Sequence, residues 1–176
     1  MKFVETELPG VYVIELEFLR DDRGSFARTY CAEEFDDLGI AFSVAQANIS
    51  LNKYAGTVRG MHFQTDPHAE SKIVRCTQGA IHDVAIDLRQ ESETYCEWLA
   101  VELNADNRFA LLIPKGFAHG FQTLSDDTEV HYLMSAPYRP GAATGVRYND
   151  PAFGVDWPLD VSNISERDLS WPDFQR

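Results

Sequence analysis

Short apolar or alternating runs recur along this chain, each closed by turn residues, and that pattern limits what it can fold into more than any other. The runs read VYVIEL (11–16), KIVRC (72–76), AIHDVAIDL (80–88), WLAVEL (98–103), FALLIP (109–114) and EVHYLM (129–134). Gln78-Gly79, Asn104 to Asn107 and Ser125-Asp126-Asp127 lie between them. Many short strands at such spacing predict an antiparallel double-sheet sandwich or barrel. Only two stretches carry helical signals. AEEFDDLG (32–39) pairs Phe35 with Leu38 and ends at Gly39, a C-terminal cap. SERD (165–168) opens a last short turn before Trp171-Pro172. With no repeat, low-complexity segment or linker, a single all-β domain over residues 1–176 is expected.

Composition excludes several function classes. Hydrophobic residues make up 44% of the 176, enough for a core, but no apolar run approaches the roughly 20 residues of a membrane helix. The first residues, MKFVETELPG, hold no apolar signal region. Cys31, Cys76 and Cys96 are an odd number without CxxC spacing, which argues against a disulfide framework and against a zinc site. A reducing cytoplasm fits best. The formal net charge of −13 disfavours nucleic acid and anionic membranes as partners. An acidic protein that binds an anion must gather its cations locally.

Two segments carry candidate chemistry. In Arg59-Gly60-Met61-His62-Phe63-Gln64, His62 is a candidate base, because only His titrates near neutrality without help. Lys72 follows and offers positive charge to a developing oxyanion. A half-buried strand with a hydrogen-bonded His is the simpler account of this segment alone. A strict pleat puts Arg59 and His62 on opposite faces, so both reach one site only if Gly60 bulges the strand. In Ile113-Pro114-Lys115-Gly116-Phe117-Ala118-His119-Gly120, Pro and Gly shape a turn from which His119 emerges. This PxGxxH pattern resembles the second half of the cupin signature. The first half would need His-x-His, and here His62-Phe63-Gln64 lacks the second imidazole, which argues against a transition metal.

Other positions are ambiguous by themselves. Asp83 interrupts an apolar strand and needs a partner such as an imidazole if it faces inward. Tyr132 and Tyr138 read equally as packing residues. Ser165-x-x-Asp168 looks like a variant capping box, a structural role. Asp21-Asp22-Arg23-Gly24-Ser25-Phe26 reads as a turn presenting an arginine, and Gln46-x-Asn48-x-Ser50 as a polar face of a strand.

Taken in order, DxRGxF (22–26), QANIS (46–50), RGMHFQ (59–64), KIVRC (72–76), HDVAIDLR (82–89), IPKGFAHGFQTLSD (113–126), NDP (149–151) with WP (157–158), and ISERD (164–168) resemble the dTDP-4-dehydrorhamnose 3,5-epimerase family over nearly the whole chain. The resemblance implies a cupin jelly roll, a homodimer, a nucleotide-sugar substrate, and neither metal nor cofactor. It implies His62 as base, Asp168 as the carboxylate that orients it, Tyr132 as acid on the other face, and Lys72 as the cation at the keto oxygen. Arg59, His119 and Arg23 become the pyrophosphate grip, with Arg23 supplied by the partner chain and Asp83 paired to His119. Gln46, Asn48 and Tyr138 become nucleotide contacts.

Three positions depart from that pattern. Arg28 and Ala143 stand where relatives often carry a Glu, and Arg167 beside Asp168 replaces a common Lys. Arg28 inverts the hydrogen bonding open to a nucleobase unless it turns outward or grips phosphate. A related nucleotide-sugar ketoisomerase and a non-catalytic sugar- or metal-binding cupin are the competing functions.

Overall fold

The computed structural model describes all residues from Met1 to Arg176. Two antiparallel sheets lie face to face. The larger runs β1 (Lys2–Glu5), β2 (Tyr12–Glu15), β10 (Ala110–Ile113), β7 (Lys72–Gln78), β12 (Thr128–Met134) and β5 (Gln46–Asn52). The smaller runs β13 (Ala143–Gly145), β6 (Val58–Gln64), β11 (Phe117–Thr123), β8 (Ala80–Asp87) and β9 (Trp98–Asn104). A separate hairpin pairs β3 (Leu19–Asp21) with β4 (Gly24–Phe26). This is the expected all-β double-sheet jelly roll with short peripheral helices. No helix is long and apolar enough to cross a membrane.

The pleat divides each strand between two environments. Val74, Leu111, Val130, Ile81, Ala85 and Phe121 meet between the sheets in one apolar core. Ile14, Ile73, Ala110 and Leu112 face the other side of the large sheet and pack under Phe35 and Phe42. Phe35 belongs to α1 (Ala32–Asp37), which ends as its sequence suggests. Gly39 takes a φ of +70°, and the N–H groups of Gly39 and Ile40 cap Asp36 and Phe35 at 2.9 Å each. Val84, Ile86, Ala118, Val146 and Phe153 cover the outer face of the small sheet.

Two local expectations changed. His119 does not emerge from a turn but lies within β11, with the turn ending at Gly116. Its strand was masked by glycine and histidine in a segment with no alternating pattern. Of residues 21–26, read as a turn, only Asp22-Arg23 turns the chain; Asp21 and Gly24–Phe26 belong to the strands of a hairpin over residues 19–26.

The bulge demanded at Gly60 is present. Along β6 and β11, His62 pairs with His119 and Arg59 with Phe121, so three steps on one strand match two on the other. Gly60 takes a φ of +140°, and a Cβ there would lie 2.5 Å from the Gly120 Cα. Gly60→Ala should therefore lower stability by about 2–4 kcal/mol through backbone strain and overpacking. Denaturant titration checks this; an unchanged midpoint would contradict the constraint.

Candidate active site

One end of the space between the sheets is polar and open, a cavity of about 640 Å³. Its walls come from β5, β7 and β12 on one side and from β6 and β11 on the other. Its size suits a small-molecule ligand.

The bulge turns His62 into this cavity, where its Nε2 lies 2.6 Å from Asp168 Oδ1. Asp168 comes from α2 (Glu166–Leu169), whose N-cap Ser165 accepts the Asp168 backbone N–H at 3.1 Å. The helix cap is thus real, yet it leaves the Asp168 carboxylate free to serve the site. The Gly60 N–H donates to its second oxygen at 3.4 Å. The Asp168 side chain is 6% exposed and that of His62 44%, a buried carboxylate beneath an accessible ring. Burial raises the Asp168 pKa, but the His62 hydrogen bond and charge, with the Gly60 and Ser165 contacts, outweigh it and hold it below the usual range. Asp168 is therefore an ionised, acceptor-only partner. In the neutral imidazole it fixes the proton on Nε2 and leaves the lone pair on Nδ1.

On the opposite wall, Tyr132 projects from β12 between the rings of His119 and Phe121, with centroids 6.2 and 6.4 Å away. Burial, then the Asp83 carboxylate, push its phenol well above the ordinary value, so it stays protonated. Asp83 faces inward and meets His119 Nε2 at 2.7 Å, which settles the face that strand periodicity left open. Lys72 Nζ donates to the His62 carbonyl at 2.8 Å and to Glu70 at 3.0 Å. Its pKa is lowered by burial and raised by Glu70 and Asp83, with burial the larger effect.

Toward the mouth, Arg59 Nε donates to Asn52 Oδ1 at 2.6 Å. Gln46 Nε2 donates to Asn48 Oδ1 at 2.9 Å and its Oε1 accepts the Tyr138 N–H at 3.0 Å, which organises an exposed Tyr138 ring beside a strand of amides. Arg167 lies over the Trp171 ring at 5.3 Å and lines the cavity beside Ala143. Arg23 and Arg28 do not line the cavity of their own chain. Arg23 pairs with Asp21 on the hairpin at 2.6 Å, and Arg28 with Glu34 at 2.8 Å. No three His, Cys, Asp or Glu side chains converge on a metal-sized position. Asn52 and Glu70 were not anticipated. The only signal for Glu70 is its place two residues before Lys72, the spacing that puts extended residues on one face.

A family model described as dTDP-4-dehydrorhamnose 3,5-epimerase matches residues 5–176. The chain belongs to this family. The dTDP-4-dehydrorhamnose 3,5-epimerase of Methanothermobacter thermautotrophicus is 41% identical over 173 residues, which cover 97% of this chain and 92% of that protein. The Bacillus anthracis enzyme of the same name, solved with TDP and PPi bound, superposes with a TM-score of 0.94 at 39% identity, covering 98% and 99% of the two chains. The Legionella pneumophila dTDP-6-deoxy-D-glucose-3,5-epimerase, in complex with dTDP-4-keto-L-rhamnose, has a TM-score of 0.90 at 31% identity and covers 99% of both.

The Asp168 pKa sets a test. A carboxylate held below its unfolded value stabilises the fold above that unfolded pKa, about 4, and loses the contribution as pH falls through the folded one. Asp168→Asn should be less stable than wild type at pH 7 and decline less steeply below about pH 4. Urea unfolding across a pH series measures both; parallel curves would contradict the pairing.

Proposed function

We propose that this protein epimerises a nucleotide-linked 4-keto-6-deoxy sugar at C3, C5 or both by deprotonation and reprotonation alpha to the ketone. The observation that carries it is the pair of proton-transfer groups on opposite walls of one cavity, the His62–Asp168 couple on one and Tyr132 on the other. A single carboxylate-oriented base would suit many reactions. A base facing an acid across a ligand-sized gap suits inversion of a carbon acid.

The step balances without cofactor or metal. His62 Nδ1 takes the proton from the carbon, and the C–H electron pair moves into an enolate whose charge rests on O4. Lys72 supplies a positive N–H to that oxygen, the role a Lewis-acid metal fills in other cupins. The Tyr132 hydroxyl then delivers a proton to the opposite face of the carbon. Asp168 stabilises the imidazolium that forms, the logic of a hydrolase triad. The protonated His62 and the phenolate of Tyr132 return to their starting states by exchange with solvent.

Binding follows from the same walls. Arg59, Arg167 and His119 gather positive or donor groups for a diphosphate, while Gln46, Asn48 and Tyr138 offer amides and a stacking face to a base. Arg28, engaged by Glu34, supports the outward-turned alternative, and dTDP remains the handle. A homodimer completes the site. Leu19 and Phe26 on the hairpin, and Ile49 and Leu51 on the edge strand β5, are 59–72% exposed, apolar surface that asks for a cover. The hairpin also carries Arg23, which it extends into the cavity of the other chain. A fully active protein sedimenting with a one-chain mass would remove this part.

In D2O with excess chelator, wild-type protein should wash deuterium into a position alpha to the ketone of dTDP-4-keto-6-deoxyglucose. His62→Ala should slow that exchange by about 10²–10⁴-fold. Exchange by His62→Ala at the wild-type rate would sink the assignment.

A further inference from the structure

Lys72 and Glu70 are 7% and 4% exposed, with Nζ and Oε1 3.0 Å apart. Of the three ammonium donors, one goes to Glu70 and one to the His62 carbonyl at 2.8 Å. A single N–H is left for the cavity that both residues line. Glu70 Oε2 is buried with no hydrogen-bond partner. A carboxylate oxygen kept in that state is expensive, and packing alone would be met by an apolar or amide side chain.

We propose that Glu70 is a positioning residue for Lys72, fixing the direction of its one uncommitted N–H and holding the ammonium protonated within a buried wall of the cavity. This rests on the assignment of Lys72 to the keto oxygen. Burial works against the charged ammonium, and the carboxylate at 3.0 Å opposes that effect. The other charged or titratable groups around the ammonium are Asp83 on β8, His62 on β6 with Asp168 behind it, His119 on β11, Tyr132 on β12 and Arg59 at the mouth. The neighbouring strand β10 contributes Ile113, which brings no charge. Glu70 is the carboxylate in direct contact with Nζ. Because Lys72 acts only when protonated, turnover falls as pH rises through its pKa. Tyr132, pushed further up by burial and Asp83, does not titrate first.

Glu70→Gln keeps the shape and removes the charge. Its alkaline limb of kcat should move down by about 1–3 pH units. On the plateau it should lose less than the roughly 10²-fold typical of deleting a catalytic proton donor. An alkaline limb at the wild-type pH, with or without a lower plateau, would overturn the proposal. Stability gives a second measurement should Glu70→Gln fold poorly. Lys72→Met strands a buried carboxylate, so Lys72→Met/Glu70→Gln should unfold at a higher denaturant midpoint than Lys72→Met alone. Equal midpoints would contradict the pairing. Lys72→Met turning over at the wild-type rate would instead remove the keto-oxygen assignment beneath it, an outcome distinct from either result for Glu70.

Discussion

The bulge at Gly60 sets the geometry on which the cavity depends. In a regular pleat Arg59 and His62 would project to opposite faces of β6. The extra residue in β6 lets both line the space between the sheets and leaves Met61 to pack outward. The same glycine turns its backbone N–H toward Asp168, so the irregularity that aims the imidazole also helps hold the carboxylate behind it. Only a residue without a Cβ fits against Gly120 there. A backbone detail of the sheet thereby becomes a constraint on the cavity.

Around that point the cavity follows one electrostatic rule. The lysine and the two imidazoles in its walls each meet a carboxylate: His62 with Asp168, His119 with Asp83, and Lys72 with Glu70. Burying any of these groups alone would cost several kcal/mol, and pairing removes most of that penalty while fixing orientation. The pairs also differ in access. His119–Asp83 and Lys72–Glu70 are buried, whereas His62 is nearly half exposed above a buried Asp168. The exposed imidazole is the member most open to the cavity. The protein as a whole is strongly acidic, and Arg59 and Arg167 in the cavity walls concentrate positive charge there.

Much of this was legible in the sequence, for identifiable reasons. β8, β9 and β12 announce themselves because their runs are long and bounded by turns. β3, β4 and β13 are three residues each and lie largely at the surface, so no burial pattern marks them. β11 hid because His119 and Gly120 interrupt it where the site needs room. Composition alone does not pair His62 with Asp168, which lie 106 residues apart. That pairing came from the ordered family motifs. Glu70 is marked only by its spacing from Lys72, because a polar pre-strand segment shows no burial pattern that would set its carboxylate against a lysine.

Inversion at a carbon alpha to a ketone requires removal and delivery of protons on different faces, and Tyr132 tests that division most directly. Proton NMR in D2O should follow deuterium incorporation and net inversion separately at C3 and C5 with the Tyr132→Phe protein. Loss of the phenol should leave base-side incorporation by His62 in place and slow inversion by about 10²-fold or more. Inversion by Tyr132→Phe at the wild-type rate would show that Tyr132 is packing and that the acid lies elsewhere.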